Sequence, residues 1–167
     1  MPKQQEKTPE NKADKQSAVF SIVGQYAKDI SFECPIPAFA KEAENLNVQM
    51  DVKLVSRKLM DDLYETVLNL KFEAQNEDKN TCFLLELAYT GVFNVKGVEA
   101  DQIEPILQVD GASIIYPFAR QMVMSLIADA GFRAPQLAPI NFHALYVKNK
   151  EAQKGNSPEN KKKEQAS

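Results

Sequence analysis

Apolar and polar side chains alternate from Val48 to Val55: Val48, Met50, Val52 and Leu54 fall on one side, and Gln49, Asp51 and Lys53 on the other. A period of two predicts a strand with one buried face. Leu63 to Ala74 repeats the pattern, with Tyr64, Leu68, Leu70 and Phe72 opposite Glu65, Asn69, Lys71 and Glu73; Val67 interrupts the polar side. The polar stretch Gln75 to Thr81 has the length of a hairpin connection. The longest strand is predicted over Cys82 to Val95. Phe83, Leu85, Leu87, Tyr89, Phe93 and Val95 share one face, while Cys82, Leu84, Ala88 and Val92 share the other with Glu86, Thr90 and Asn94. Apolar residues on both faces predict at least partial cover on both sides, and Gly91 is a candidate bulge. Ahead of these, Ile30 and Phe32 alternate with Asp29, Ser31 and Glu33, predicting a strand over Tyr26 to Glu33. Cys34-Pro35-Ile36-Pro37 stops it, because proline donates no ladder hydrogen bond.

The pattern changes period after Val95. Asp101 to Asp110 predicts a short helix limited by Pro105, and Ile114 to Phe132 a long one. Pro117 suits a first helical turn, where its missing N–H would be unpaired anyway. Gly131 suits a left-handed cap just past the end. Between them the helix is apolar on nearly every side, apart from a thin stripe of Gln121, Ser125 and Asp129 widened by Arg120. Such a helix is buried on several sides. Arg120, Gln121, Asp129 and the proline argue against a membrane span. One side can lie on the chain's own sheet, and the expectation for the other is a second subunit. A last helix, capped by Asn141, runs to about Lys148 with Phe142, Leu145 and Tyr146 on one side.

Three strands joined by short links make an antiparallel meander, and the first strand joins it to make four. The fold class expected is therefore α+β: a four-stranded antiparallel sheet with the long helix on one face. The 167 residues give one domain, residues 17–148, between a polar tail at 1–16 and another at 149–167. Neither tail holds enough apolar surface to offset chain entropy, so both are expected to be disordered.

Charge sharpens this picture. The total is −3; residues 1–16 contribute +1 and residues 148–167 contribute +3, which leaves −7 on residues 17–147. An acidic core disfavours nucleic acid as a partner. Two cysteines, Cys34 and Cys82, make no disulfide framework, and the first sixteen residues contain no apolar signal-peptide core. A cytoplasmic protein with reduced thiols is expected.

No enzyme signature is present. His143 is the sole histidine, with no nucleophile motif beside it in the pattern. One histidine and two distant cysteines do not make a metal site, and no phosphate-binding glycine motif occurs. Asp61, Asp62, Glu77 and Asp78 read as solvated turn residues. What remains is interaction chemistry: an apolar sheet face larger than one helix needs, beside acids, suits extended apolar polypeptide.

Five ordered motifs carry a resemblance across roughly Val19 to Tyr146. They are Tyr26-Ala27-Lys28-Asp29-Ile30-Ser31-Phe32-Glu33, Asp61-Asp62-Leu63-Tyr64-Glu65, Gly91-Val92-Phe93, Tyr116-Pro117-Phe118-Ala119-Arg120 and Leu137-Ala138-Pro139-Ile140-Asn141-Phe142. Together they resemble the SecB family of bacterial protein-export chaperones. The resemblance implies a homotetramer, a dimer of dimers, that binds unfolded preproteins and passes them to the SecA motor ATPase, with no catalysis, no cofactor and no insertion into the membrane. It implies SecA contacts at Asp29, Glu33, Leu84 and Glu86, with any zinc belonging to the motor's basic tail. It places Leu85, Leu87 and Tyr89 at or near subunit contacts, which Met122 and Leu126 of the long helix join. Client binding is expected at Phe39, Leu46, Val48, Met50, Val52, Phe132 and Tyr146. Family members often carry a tryptophan between the first two strands; this chain has none, and Phe39 or Leu46 is expected in its place. An oligomeric carrier of a small apolar ligand, or a SecB-like chaperone of a toxin–antitoxin system, is the alternative.

Overall fold

The computed structural model describes residues 17–155, with side chains to 152. Four strands form one antiparallel sheet: β1 (Val19–Glu33), β2 (Asn47–Met60), β3 (Leu63–Gln75) and β4 (Thr81–Lys96). Their spatial order is β1-β4-β3-β2, so the first strand closes on the last, and the proline-rich connection must cross to the far edge. The predicted tail at 1–16 and residues 156–167 of the tail predicted at 149–167 lie outside the described residues, while residues 149–155 of that tail continue the last helix.

Period-two alternation decides which face is buried. Phe83, Leu85, Leu87 and Phe93 of β4 pair in register with the apolar positions Ala74, Phe72, Leu70 and Tyr64 of β3, Val95 pairs with Phe20 of β1, and these five β4 residues all lie within 3 % of full burial. Their side chains meet the stripe Ala112, Ile115, Ala119, Val123 and Ile127 of the long helix, each fully buried. Spacings of three and four place that stripe on one helical face. The opposite side of the sheet, the open face, presents half-buried and exposed residues such as Asp29, Lys71, Leu84 and Glu86.

Two strands are longer than the pattern predicts, and bulges explain why. β1 begins at Val19, but its register against β4 shifts between Ile22 and Gly24 and again between Ala27 and Asp29. Each extra residue reverses the phase of the side chains, which hides the strand upstream of Tyr26. β2 continues five residues past Val55 to Met60, with a shift between Lys58 and Met60 before a two-residue turn, Asp61-Asp62. Asp61 takes a positive φ of 34° there, and Asp62 pairs with Lys96 at 3.4 Å.

The helical half corrects two expectations. Pro105 does not end a separate helix, and Pro117 does not begin one. α1 (Ala100–Pro105) runs through a wide π turn at Ile106–Gly111 into α2 (Ala112–Asp129). In that turn the Ala112 N–H reaches back to the Leu107 carbonyl, and Thr66 of β3 donates to the same carbonyl at 3.3 Å. Pro117 sits mid-helix with Ser113 one turn before it; both are exposed, so water can satisfy the carbonyl that the missing N–H leaves free. The cap is as expected. Gly131 has φ 86°, its N–H bonds Ala128, and the Phe132 N–H bonds Ile127 at 3.1 Å, which is a Schellman closure. Asn141 caps α3 (Phe142–Gly155) through a 2.9 Å bond from the Ala144 N–H. This helix outruns its predicted end at Lys148, and Lys150 pairs with Glu104 at 2.6 Å.

Gly91 is not a bulge. A Cβ there would lie 2.7 Å from Cγ2 of Ile115 and 2.7 Å from the Phe93 ring. The missing side chain is what lets α2 approach β4. Gly91→Ala should therefore destabilise the fold by about 1–3 kcal/mol, as overpacking does, read as a lower urea midpoint with an unchanged slope.

Candidate functional site

The sheet register assembles the first candidate site. Glu33 stands opposite Leu84, Ser31 opposite Glu86, and Asp29 opposite Ala88, all on the open face of β1 and β4. The four residues assigned to the motor by resemblance thus share one end of one surface. The same cross-strand rows continue onto β3 and β2: Glu86 faces Lys71 and Lys71 faces Asp51, while Leu84 faces Glu73. A hollow of about 310 Å³ opens among Asp29, Asp51, Lys53, Lys71 and Glu86. Lys71 Nζ lies 3.2 Å from Glu86. Glu73 accepts hydrogen bonds from Gln75 and Thr81, which hold its carboxyl below the usual range.

The far end of the open face has a different character. Glu65 is only 3 % exposed there. Arg57 Nε approaches it at 2.6 Å, Lys28 Nζ at 3.2 Å and the Tyr26 hydroxyl at 3.5 Å. Burial pushes the carboxyl up, but the hydrogen bonds from Arg57 and Lys28, with their charges, outweigh it and leave it below its ordinary value. The pattern gave no sign of this cluster. Its four residues come from three strands, and a bulge is what brings Lys28 to this face.

The second candidate site is a groove of about 590 Å³ at one end of the helix-bearing face, lined by Leu46, Val48, Phe83, Phe132 and the link after α2. Phe132 packs on Phe83 with ring centres 4.9 Å apart. Val48, Met50 and Val52 follow one another along the same face of the edge strand β2, with Met50 39 % exposed. Two of the residues expected there lie elsewhere. Phe39, 92 % exposed, projects from the connection outside the lining, and Tyr146 sits on α3 beneath Lys150, 5.6 Å from it.

The expected interface residues divide in the same way. Leu85, Leu87 and Tyr89 do not offer themselves to a second subunit: they are 0 %, 2 % and 7 % exposed, enclosed within the protomer's own core. Odd-numbered positions of β4 face the helix, so their apolar character serves the protomer. Met122 and Leu126 are half-buried on α2. The larger exposed apolar side chains of that helix are Ile114 and Phe118, which the pattern did not single out as interface.

Among the described residues, no group of histidine, cysteine and acids could hold a metal, and no helix is long and apolar enough to cross a membrane. His143 is exposed. Cys82 is buried, which pushes its thiol up and leaves it unreactive, and Cys34 is exposed.

A four-stranded antiparallel sheet with a long helix on one face is the fold this chain shares with a SecB-like chaperone. A solved SecB-like chaperone from Mycobacterium tuberculosis, in complex with a peptide from the HigA1 antitoxin, superposes with a TM-score of 0.63 at 12 % identity, covering 72 % of this chain and 90 % of that one. The family described as preprotein translocase subunit SecB matches residues 13–153. The chain is 35 % identical over 140 residues to the protein-export protein SecB of Sphingopyxis alaskensis, covering 83 % of this chain and 81 % of that one. It is also 35 % identical over 134 residues to that of Zymomonas mobilis, covering 80 % and 81 %. The chain belongs to the SecB family, a family of non-enzymatic chaperones.

The Glu65 cluster sets an acid limit. The folded carboxyl holds its proton less tightly than the unfolded one, so its stabilisation is fully present above the ordinary value of 4.5 and is lost as pH falls through the lower folded value. Urea midpoints measured from pH 6 downward should fall below that value, and the Glu65→Gln variant should show a shallower fall.

Proposed function

We propose that this chain is a holding chaperone of protein export. It captures unfolded preproteins in the cytoplasm, keeps them competent for translocation and delivers them to the SecA motor ATPase. The observation that carries the reading is the family match across the whole folded part, and the gathering of Asp29, Glu33, Leu84 and Glu86 on one open surface supports the motor site. Acids spread over adjacent strands suit a basic partner by charge and speed its encounter. Leu84 lies among them and supplies the apolar contact.

Capture uses the groove at Leu46, Val48 and Phe132 and its extension along Met50 and Val52. Each apolar contact nets roughly 1 kcal/mol or less after ordering costs, and a long unfolded chain makes many at once. The holder needs no chemistry, because slow client folding and fast association select the client kinetically. Ile114 and Phe118 on the outer side of α2 are apolar surface that a second subunit would cover. The assembly read here is a homotetramer, a dimer of dimers, with Met122 and Leu126 beside that contact. The solved neighbour bound to an antitoxin peptide, at 12 % identity, shares the fold, whereas the Sphingopyxis alaskensis and Zymomonas mobilis relatives at 35 % identity are protein-export proteins, which favours export over the toxin–antitoxin alternative.

Native mass should show a tetramer that gains a reduced, unfolded protein of unrelated sequence and ignores the same protein when folded. A monomer indifferent to denatured polypeptide would overturn the reading. Asp29→Lys combined with Glu86→Lys should abolish SecA binding and leave client capture intact. Joint loss of both would show that the motor site is misassigned.

A further inference from the structure

We propose that Lys71 is a specificity-determining residue of the acidic face: an internal counter-ion that occupies Glu86, with Asp51 opposite it on β2, until a basic polypeptide displaces it. The inference rests on the reading of that face as the motor's binding surface.

Lys71 stands at the centre of a cross-strand row. Glu86 of β4 is its partner on one side and Asp51 of β2 on the other. Directly opposed side chains in a sheet are within reach of each other, and Lys71 Nζ has closed on Glu86 at 3.2 Å. All three line the same hollow as Asp29. The other acids at this end differ. Asp29 and Glu33 stand opposite Ala88 and Leu84, and among the described residues neither makes an ion pair. Glu73 is engaged by the neutral donors Gln75 and Thr81. Glu86 is therefore the acid of this surface whose charge is already cancelled by a lysine of the chain itself.

The Lys71 and Glu86 side chains are 45 % and 54 % exposed, so water screens their pair and it adds little to folding. Its effect falls on the partner. A single incoming cation that takes Glu86 must free Lys71, exchanging one pair for another with no gain. A partner that brings several cations engages Asp29 and Glu33 as well and offsets the exchange. Lys71 therefore lowers affinity for basic chains in general and favours those whose charges match the spacing of the whole face.

The test is calorimetric titration of the full chain, at low salt, with the zinc-loaded C-terminal tail peptide of SecA. Lys71→Gln should bind about two- to fivefold more tightly, the range expected for release of one exposed pair. Lys71→Arg should retain the original affinity. Lys148→Gln makes the same change in net charge at an exposed position on α3 and should move affinity much less. Equal effects of Lys71→Gln and Lys148→Gln would reduce the result to net charge and overturn the proposal. Weaker binding by Lys71→Gln would overturn it too, since Lys71 would then support the partner. In both cases the motor-site reading stands if Asp29→Lys combined with Glu86→Lys abolishes binding. If the unsubstituted chain binds no peptide, the motor-site reading falls and takes this proposal with it.

Discussion

A single helix can cover only one side of a four-stranded sheet, and the rest of the structure follows from that. The contact is close: α2 meets β4 where Gly91 has no side chain, Gly111 passes the Phe93 ring and Ile115 fills the space above. Because the contact consumes the odd-numbered side chains of β4, the even-numbered ones must face away. Leu84, Glu86 and Ala88 are carried to the open face by the geometry of the strand, not by any choice of their own. Core and open face are thus two sides of the same strand.

The two sites draw on different physics. The open face carries charge on a rigid platform. Its acids sit on paired strands, so their spacing is held by backbone hydrogen bonds and not by loops. The groove offers apolar area at the sheet's end, where Leu46, Val48 and Phe132 line one hollow at the close of α2. The Schellman turn at Gly131 places Phe132 there by sending the chain back over Phe83. A change that disturbs one surface need not disturb the other, because the two lie on opposite faces of the sheet.

The π turn shows how two prolines coexist with a continuous helical segment. Pro105 comes early, near the free start of the helix, and Pro117 lies on its exposed side. Between them the wide turn at Ile106–Gly111 brings Leu107 into the core and its carbonyl to Thr66. Proline as a punctuation mark misleads here because tertiary packing supplies what the local hydrogen-bond ladder loses.

Strand identity, the buried face of β3 and β4, the Gly131 and Asn141 caps and the acidic balance were all legible in the residues themselves. Each depends on near neighbours in the chain: alternation, helical spacing, the conformational freedom of glycine. The shared motifs were legible too, and they named the family. What the linear pattern could not hold was everything that joins distant segments. The bulges at β1 reverse the phase that alternation relies on, so Val19 to Gln25 did not read as strand. Leu85, Leu87 and Tyr89 look equally apolar whether a helix of their own chain or a neighbour covers them, and only the packing of α2 decided for the former. Glu65 looks like any polar strand residue until Tyr26, Lys28 and Arg57 arrive from β1 and β2. Lys71 looks like ordinary solubility until the register sets it between Glu86 and Asp51. Local periodicity records which way a side chain points, and only the folded chain determines what it meets.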